Sequence, residues 1–280
     1  MKFVTQRLES ERQGLEAIRA QVRRPTAADS KYTRGVVGFV TGSEQYPGAA
    51  VLGVVAALNT GVGMVRYLGP ERATMLVLSK RPDVVAAAGR VQAMVIGSGV
   101  GDDDHRRMQV LRESLDTESL LVLDASGVSL IPHASRPERC VLTPHAGELA
   151  SLLGVTRDAV EAAPQEHGRR AAERFGAVVV AKGARTFVCS PSRVTAIDLG
   201  SPWLAAAGSG DVLAGIIGAL FAAGAADGRS APDDLHDRAV AGVALHGLTA
   251  RHLSKHAPFG AGELAESLPS VLTRARNLGG

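Results

Sequence analysis

The stretch AAGSGDVLAG, Ala206–Gly215, strips away every bulky side chain and then sets one acid, Asp211, at the start of an apolar run that continues as IIGALFAAG. Consecutive small residues before a helix let backbone N–H groups approach an anion closely, and the helix N-terminus adds partial positive charge. A tight turn with Asp211 as an ordinary capping carboxylate is the plain alternative. Taken alone, the stretch is compatible with both. If a phosphate does bind there, Asp211 would repel it unless the acid has a task of its own. Accepting a proton from a hydroxyl during phosphoryl transfer is such a task.

Working outward, the same strand–turn–helix grammar recurs. GVVGFVTG (Gly35–Gly42), AMVIGSGVG (Ala93–Gly101), SLLVLDASG (Ser119–Gly127), CVLTPHAGELASLLG (Cys140–Gly154) and AVVVAKGART (Ala177–Thr186) each open with a buried-type strand and end in glycine or polar residues. MVRYLG and TMLVLS are short apolar runs that read as strands, and FVCSPSRVTAID reads as a hairpin at the sheet edge. PGAAVLGVVAALNTGVG places Pro47 near a helix start and Gly61 beyond its end. DVLAGIIGALFAAG and DRAVAGVALHGLTARHLSKH read as two long apolar helices. Strands alternating with helices predict an α/β fold, a mostly parallel central sheet with helices on both faces. Ligands bind such sheets beyond the strand C-terminal ends, where the polar and glycine-rich residues fall. Residues 1–30 read as a charged, partly helical lead-in, and 31–280 as one domain.

Composition bounds the function. Of 280 residues 45% are hydrophobic and only 4% aromatic, which suits close-packed helices on a parallel sheet. The net charge of +3 is mildly basic, and its one dense run, RRPTAADSKYTR (Arg23–Arg34), is broken by Pro25 and lacks interleaved aromatics on a nucleic-acid pattern. It reads as a solvated linker, so nucleic acid is not an expected partner. Cys140 and Cys189 are far apart and form no C-x-x-C site, which fits a reducing compartment. The N-terminus lacks the apolar core of a leader, and no segment approaches ~18 uninterrupted apolar residues. A cytoplasmic protein without a membrane partner is expected.

Each remaining motif has a plain reading beside a functional one. In TPHAGE (Thr143–Glu148), His145 and Glu148 are three apart and can share one side of a helical turn; helix-start chemistry explains both without a ligand. In AKGART (Ala181–Thr186), Lys182 could reach a nucleotide phosphate or be a solvated hairpin lysine. GSGVG (Gly97–Gly101) is not G-x-G-x-x-G and is followed by DDDHRR; it reads as close backbone approach to a ligand. GSEQYPGAA (Gly42–Ala50) reads as a ligand-hugging loop or a plain connection. Asp124 points into a cleft or starts a turn. His252 and His256 in HLSKH lack the glutamate of a zincin and read as a solvated pair, and Trp203 needs no explanation beyond packing.

In order, the motifs are TGSEQYPGAA, IGSGVG, LDAS, TPHAGE, AKGART and AGSGDVLAG. Together they resemble the ADP/ATP-dependent NAD(P)H-hydrate dehydratase family within the ribokinase-like superfamily. The resemblance runs from about Lys31 to the final helices. It implies a ribokinase-like three-layer sandwich and a repair reaction in which the S form of NAD(P)H-hydrate is returned to NAD(P)H, with ADP (or ATP) as co-substrate and Mg2+ beside its phosphates. Carried over by motif, Asp211 activates the hydrate hydroxyl, and Gly208, Ser209 and Gly210 form an anion hole for the transferred phosphoryl group. Lys182, Gly183, Ala184, Arg185, Thr186 and Gly210 bind the adenine nucleotide. Ala49, Gly99, His145 and Asp211 line the NAD(P)H-hydrate pocket. Glu148 takes the register of the superfamily's N-x-x-E glutamate and acts on Mg2+ indirectly, and Asp124 is a further metal candidate. The family's G-G-T-G-D reads AGSGD here, with small Ala207 and hydroxyl-bearing Ser209 keeping the hole. About thirty residues precede the resemblance, too few for an epimerase domain. The family therefore implies a separate epimerase as functional partner, and a homo-oligomer, often a tetramer. Two other readings share the same residues: a kinase of a small vitamin-precursor alcohol, and a catalytically silent nucleotide-binding regulator.

Overall fold

The strands are short because most are buried on both faces. In the computed structural model, which describes residues 4–101, 103–255 and 257–278, they are β1 (Val4–Leu8), β2 (Val36–Val40), β3 (Met64–Tyr67), β4 (Ala93–Ile96), β5 (Leu120–Leu123), β6 (Cys140–Leu142), β7 (Val178–Ala181), β8 (Thr186–Cys189) and β9 (Arg193–Ile197). They form one sheet in the order β1-β9-β8-β7-β6-β5-β4-β2-β3. Only the β7/β8 and β8/β9 pairs are antiparallel. Successive side chains alternate between two apolar layers. Val95, Val122, Val141 and Val178 enter one; Met94, Ile96, Leu121, Leu123, Cys140 and Leu142 enter the other.

Helices cover both layers. The first is packed by α1 (Glu11–Gln21), α2 (Gly48–Thr60), α3 (Glu71–Lys80), α8 (Ser209–Ala226), α9 (Pro232–Leu253) and α10 (Ala261–Arg276). The second is packed by α4 (His105–Glu113), a 3-10 stretch at Ala125–His133, α5 (Ala146–Leu153), α6 (Arg157–Ala162) and α7 (Pro164–Phe175). This is the expected three-layer α/β sandwich. Cys140 and Cys189 are buried free thiols, both pushed up to about 12 by burial.

Three local expectations change. TMLVLS is not a strand but lies within α3, whose buried Ala73 and Val77 are four apart on one face while Met75 and Leu76 stay exposed. A contiguous apolar run hides that spacing. The β8–β9 hairpin forms, but it is not the sheet edge, because β1 pairs with β9 in parallel. Polar, mostly exposed VTQRL carried no strand signal. The lead-in is partly helical, as α1 shows, and contributes β1 besides. Asp102 and His256, which occur in motifs quoted above, lie outside the described residues.

One crossing positions the site. Helix α8 is the one helix among the described residues long and apolar enough to cross a membrane, yet 67% of it is buried inside the protein. It packs against α2, α9 and β4. Gly53 of α2 and Gly215 of α8 let the two backbones nearly touch: a Cβ at Gly215 would lie 2.2 Å from the Gly53 carbonyl oxygen. Both helix N-termini are thereby brought to the C-terminal edge of the sheet. Gly215→Val should lower the urea midpoint, by about 1–3 kcal/mol of stability or more. An unchanged midpoint would mean the helices separate freely.

Candidate active site

Four neighbouring strand ends meet in one polar cluster. Asp124 after β5 is 3% exposed and lies 3.0 Å from Lys182 Nζ after β7. Its Oδ2 accepts from Ser98 Oγ after β4 at 2.8 Å, and its Oδ1 accepts from Thr143 Oγ1 after β6 at 2.6 Å. Burial opposes ionisation of Asp124, but the Lys182 charge and the Thr143 and Ser98 hydroxyls outweigh it and hold the carboxyl below its ordinary value. For Lys182, burial works against the charge. Asp124 first, then Glu148 and Asp211, overcome this and keep the ammonium above its ordinary value. The pair is therefore ionised at neutral pH. Lys182 is not the solvated hairpin lysine of the plain reading.

Lys182 reaches the mouth of α8. A Cβ at Gly210 would sit 3.3 Å from its Nζ. Gly208 is the N-cap, left-handed at φ +89°, and no side chain caps the helix. Ser209 N–H donates to Ala206 O, while the N–H groups of Gly210 and Asp211 fall at first-turn positions that have no carbonyl partner within the helix. Ser209 Oγ donates back to Leu204 O at 2.8 Å, so this hydroxyl braces the turn. Helix α2 likewise lacks a side-chain cap, and its Leu52 and Gly53 border Gly208 and Asp211. An open helix N-terminus beside a lysine is an arrangement suited to an anion.

Asp211 stands apart from its neighbours. Its carboxylate has no hydrogen-bond partner among the described residues. Burial first, and then the Asp124 charge, push it up to about 7, with Lys182 pulling the other way. An acid poised near neutrality at an open anion site is placed for proton transfer.

The other expected residues divide into two groups. Gly99, at φ +67°, meets Ala49: a Cβ there would lie 2.5 Å from Ala49 Cβ and 2.8 Å from Tyr46 O. The tightness of Gly97 has an internal cause, since its Cβ would lie 2.2 Å from Asp124 O. The close approach seen at these two glycines is to the protein's own chain. His145 and Glu148 form a capping box on α5. His145 Nδ1 accepts from Gly147 and Glu148 N–H, and His145 N–H donates to Glu148 Oε2 at 2.8 Å. His145 also lines a cavity of about 630 Å³ with Lys182, Gly183, Ala184 and Arg185, whose apolar wall includes Leu149, Val160 and Phe187. Thr186 opens β8, and Arg185 pairs with Asp198 at 3.3 Å.

Mg2+ keeps much of its water and leans on phosphates, so it needs no protein cage. Among the described residues no three His, Cys, Asp or Glu side chains converge on one point. Asp124 already accepts from three donors. Glu148 acts on the charge of Lys182 without a direct contact to it, which fits an indirect, water-bridged role.

Three participants were not singled out from the sequence. Ser98 and Thr143 sit inside quoted motifs, but only the sheet order shows that they converge on Asp124. His246, in α9, lies with Nε2 2.9 Å from Ser209 O; burial pushes its pKa down to about 4. A carbonyl only accepts, so the neutral ring donates from Nε2 and holds the first turn of α8. A histidine within the apolar run Ala239–Leu248 was its one signal.

Fold and site together define a ribokinase-like protein with an uncapped helix mouth beside a buried lysine. The chain belongs to the NAD(P)H-hydrate dehydratase family, whose match covers residues 37–274. It is 42% identical over 233 residues to the bifunctional NAD(P)H-hydrate repair enzyme Nnr of Mycobacterium tuberculosis, covering 78% of this chain and 48% of that one. The chain thus spans about half the length of such relatives. It is 34% identical over 282 residues to the ADP-dependent (S)-NAD(P)H-hydrate dehydratase of Xanthomonas campestris, covering 92% of this chain and 94% of that one. The ADP/ATP-dependent NAD(P)H-hydrate dehydratase of Bacillus subtilis, co-crystallized with ATP/Mg2+, superposes with a TM-score of 0.81 at 26% identity, over 93% of this chain and 97% of that one.

A carboxyl whose pKa is raised on folding lends stability only while protonated. That contribution is complete below its ordinary value of 3.8 and is lost as pH rises through about 7. Asp211→Asn removes the penalty. Its melting midpoint should exceed that of the unsubstituted protein at pH 8 and match it at pH 4; equal midpoints at both would show that Asp211 is not perturbed.

Proposed function

We propose that this chain removes water from the S form of NAD(P)H-hydrate at the expense of ADP, or of ATP, and returns NAD(P)H. The observation that carries the reading is Asp211: an unpartnered acid pushed up to about 7, at the open mouth of α8, beside the paired Lys182. A ring hydroxyl is a poor leaving group. Asp211 takes its proton as the oxygen attacks the terminal phosphoryl group of ADP, and AMP leaves. The C–O bond to the new phosphate ester then breaks, phosphate departs, and loss of a proton from the adjacent ring carbon restores the double bond.

The N–H groups of Gly210 and Asp211 and the Lys182 ammonium stabilise charge on the transferred group. The nucleotide lies along Lys182–Thr186, with its base against Leu149, Val160 and Phe187 in the 630 Å³ cavity. Ala49 and Gly99 hold the hydrated ring. His145 stands on the wall shared with the nucleotide and contacts both ligands at their junction. When bound, Mg2+ offsets phosphate charge, and Glu148 would hold it through water. Asp124 acts by holding Lys182, a role its three hydrogen bonds support over metal binding. A cytoplasmic location, a homo-oligomer and an epimerase as partner activity complete the proposal.

Incubation with hydrated NADH and ADP, with ATP compared in parallel, tests it. NADH absorbance should recover only to the extent of the S epimer, with one AMP and one phosphate per NADH. Asp211→Asn should lower kcat by roughly 10²–10⁴-fold while ADP binding stays within about threefold. A stable phosphorylated alcohol without recovered NADH would instead identify a small-molecule kinase. Full activity of Asp211→Asn would remove Asp211 from the mechanism.

A further inference from the structure

A second cavity, of about 570 Å³, opens between the β2–α2 loop, the start of α3 and the first turn of α4. Its charged lining is Glu44, Glu71, Asp104, Arg106 and Arg107. Within it, Arg107 is unusual. Its Nε and Nη2 are buried and have no hydrogen-bond partner. Burial weakens its charge, and the Asp104 carboxylate offsets this in part. Asp104 does not pair with the guanidinium; its Oδ1 accepts the Arg107 backbone N–H at 3.0 Å as the helix cap. A buried guanidinium with unmet donors is costly, and its planar fork can donate in parallel to two oxygens of a phosphate.

The cavity adjoins the corner assigned to the hydrated ring. Glu44 lies in the β2–α2 loop with Tyr46, two residues before α2 and its Ala49; Tyr46 and Ala49 abut Gly99. Tyr67, a buried neutral phenol, donates to Thr41 O at 2.7 Å and would lie 3.2 Å from a Cβ at Gly42. Asp211, Gly53 and α2 lead from the reacting end to this loop. A dinucleotide is long. With its nicotinamide end at Asp211, its ribose and phosphate portions must follow such a track. Glu44 and Glu71 are acceptors suited to ribose hydroxyls, and among the described lining residues Arg107 is the one with unmet side-chain donors, which lie just beneath the cavity wall.

We propose that this cavity receives a ribose–phosphate portion of the hydrated dinucleotide, with Arg107 donating to a phosphate. The inference rests on the dehydratase reading for the identity of its ligand. It names Arg107 as a substrate-binding residue that makes no contact with the transferred phosphoryl group.

The test compares Arg107→Gln and Arg107→Lys with the unsubstituted protein. Arg107→Gln should raise KM for the hydrate roughly ten- to hundredfold, with kcat within about threefold and KM for ADP unchanged. Arg107→Lys keeps the charge and loses the fork, so it should fall between. A rise with both hydrated NADH and hydrated NADPH identifies the diphosphate; a rise with hydrated NADPH alone identifies the 2′-phosphate.

Melting midpoints give a readout independent of turnover. Without ligand, Arg107→Gln should melt no lower than the unsubstituted protein, since an uncompensated buried charge is removed. The upward shift produced by NADPH, with AMP present, should shrink. Absence of turnover in the unsubstituted protein would defeat the dehydratase reading and leave this binding test intact. An unchanged KM and an unchanged NADPH shift would overturn the inference, as would a parallel loss of ADP affinity.

Discussion

The ion pair between Asp124 and Lys182 is the constraint on which the site depends. Neither charge could be buried alone at the sheet's C-terminal edge without several kcal/mol of desolvation cost. Ser98 and Thr143 supply further hydrogen bonds, so the ends of β4, β5, β6 and β7 are tied through one carboxylate. The pair also sets the electrostatics next door. Asp124 discourages a second negative charge on Asp211, while Lys182 offers a positive group to any phosphate at the mouth of α8. One buried carboxylate thus makes its neighbour a weaker acid and a stronger base.

Steric constraint completes what electrostatics begins. The near contact of Gly53 and Gly215 lets α2 and α8 cross closely enough for Leu52 and Gly53 to border the uncapped start of α8. His246 and the Ser209 hydroxyl brace the first turn of α8 from behind, leaving the N–H groups of Gly210 and Asp211 for a ligand. The helix mouth is consequently rigid, and preorganised donors contribute most to stabilising transferred charge. The contrast with α5 is informative. There His145 and Glu148 close the N-terminus with a capping box.

Much of this was legible in the sequence because the informative residues lie in local motifs. Short apolar strands ending in glycine or polar residues, followed by apolar helices, point to the layered sheet, and AAGSGDVLAG marks the uncapped helix mouth. What was not legible depends on neighbours distant in the chain. Asp124 read as an uncertain metal candidate because its partners come from three other strand ends. TMLVLS misled because burial selects Ala73 and Val77 at helical spacing within an unbroken apolar run. Strand β1 was hidden by its polarity, since its position beside β9 leaves it mostly exposed. Ser209 was read as part of the hole, whereas its hydroxyl turns inward to Leu204.

The most direct test of the coupled cluster is the ionisation of Asp211 itself. Carboxyl 13C NMR of the ligand-free protein, labelled at aspartate and assigned with Asp211→Asn, reads it without reference to turnover. The Asp211 resonance should titrate near pH 7, and it should move toward the ordinary carboxylate range in Asp124→Asn, where the neighbouring charge is gone. A midpoint near the ordinary 3.8 in the unsubstituted protein would contradict the role of Asp211 as a base tuned by the buried pair.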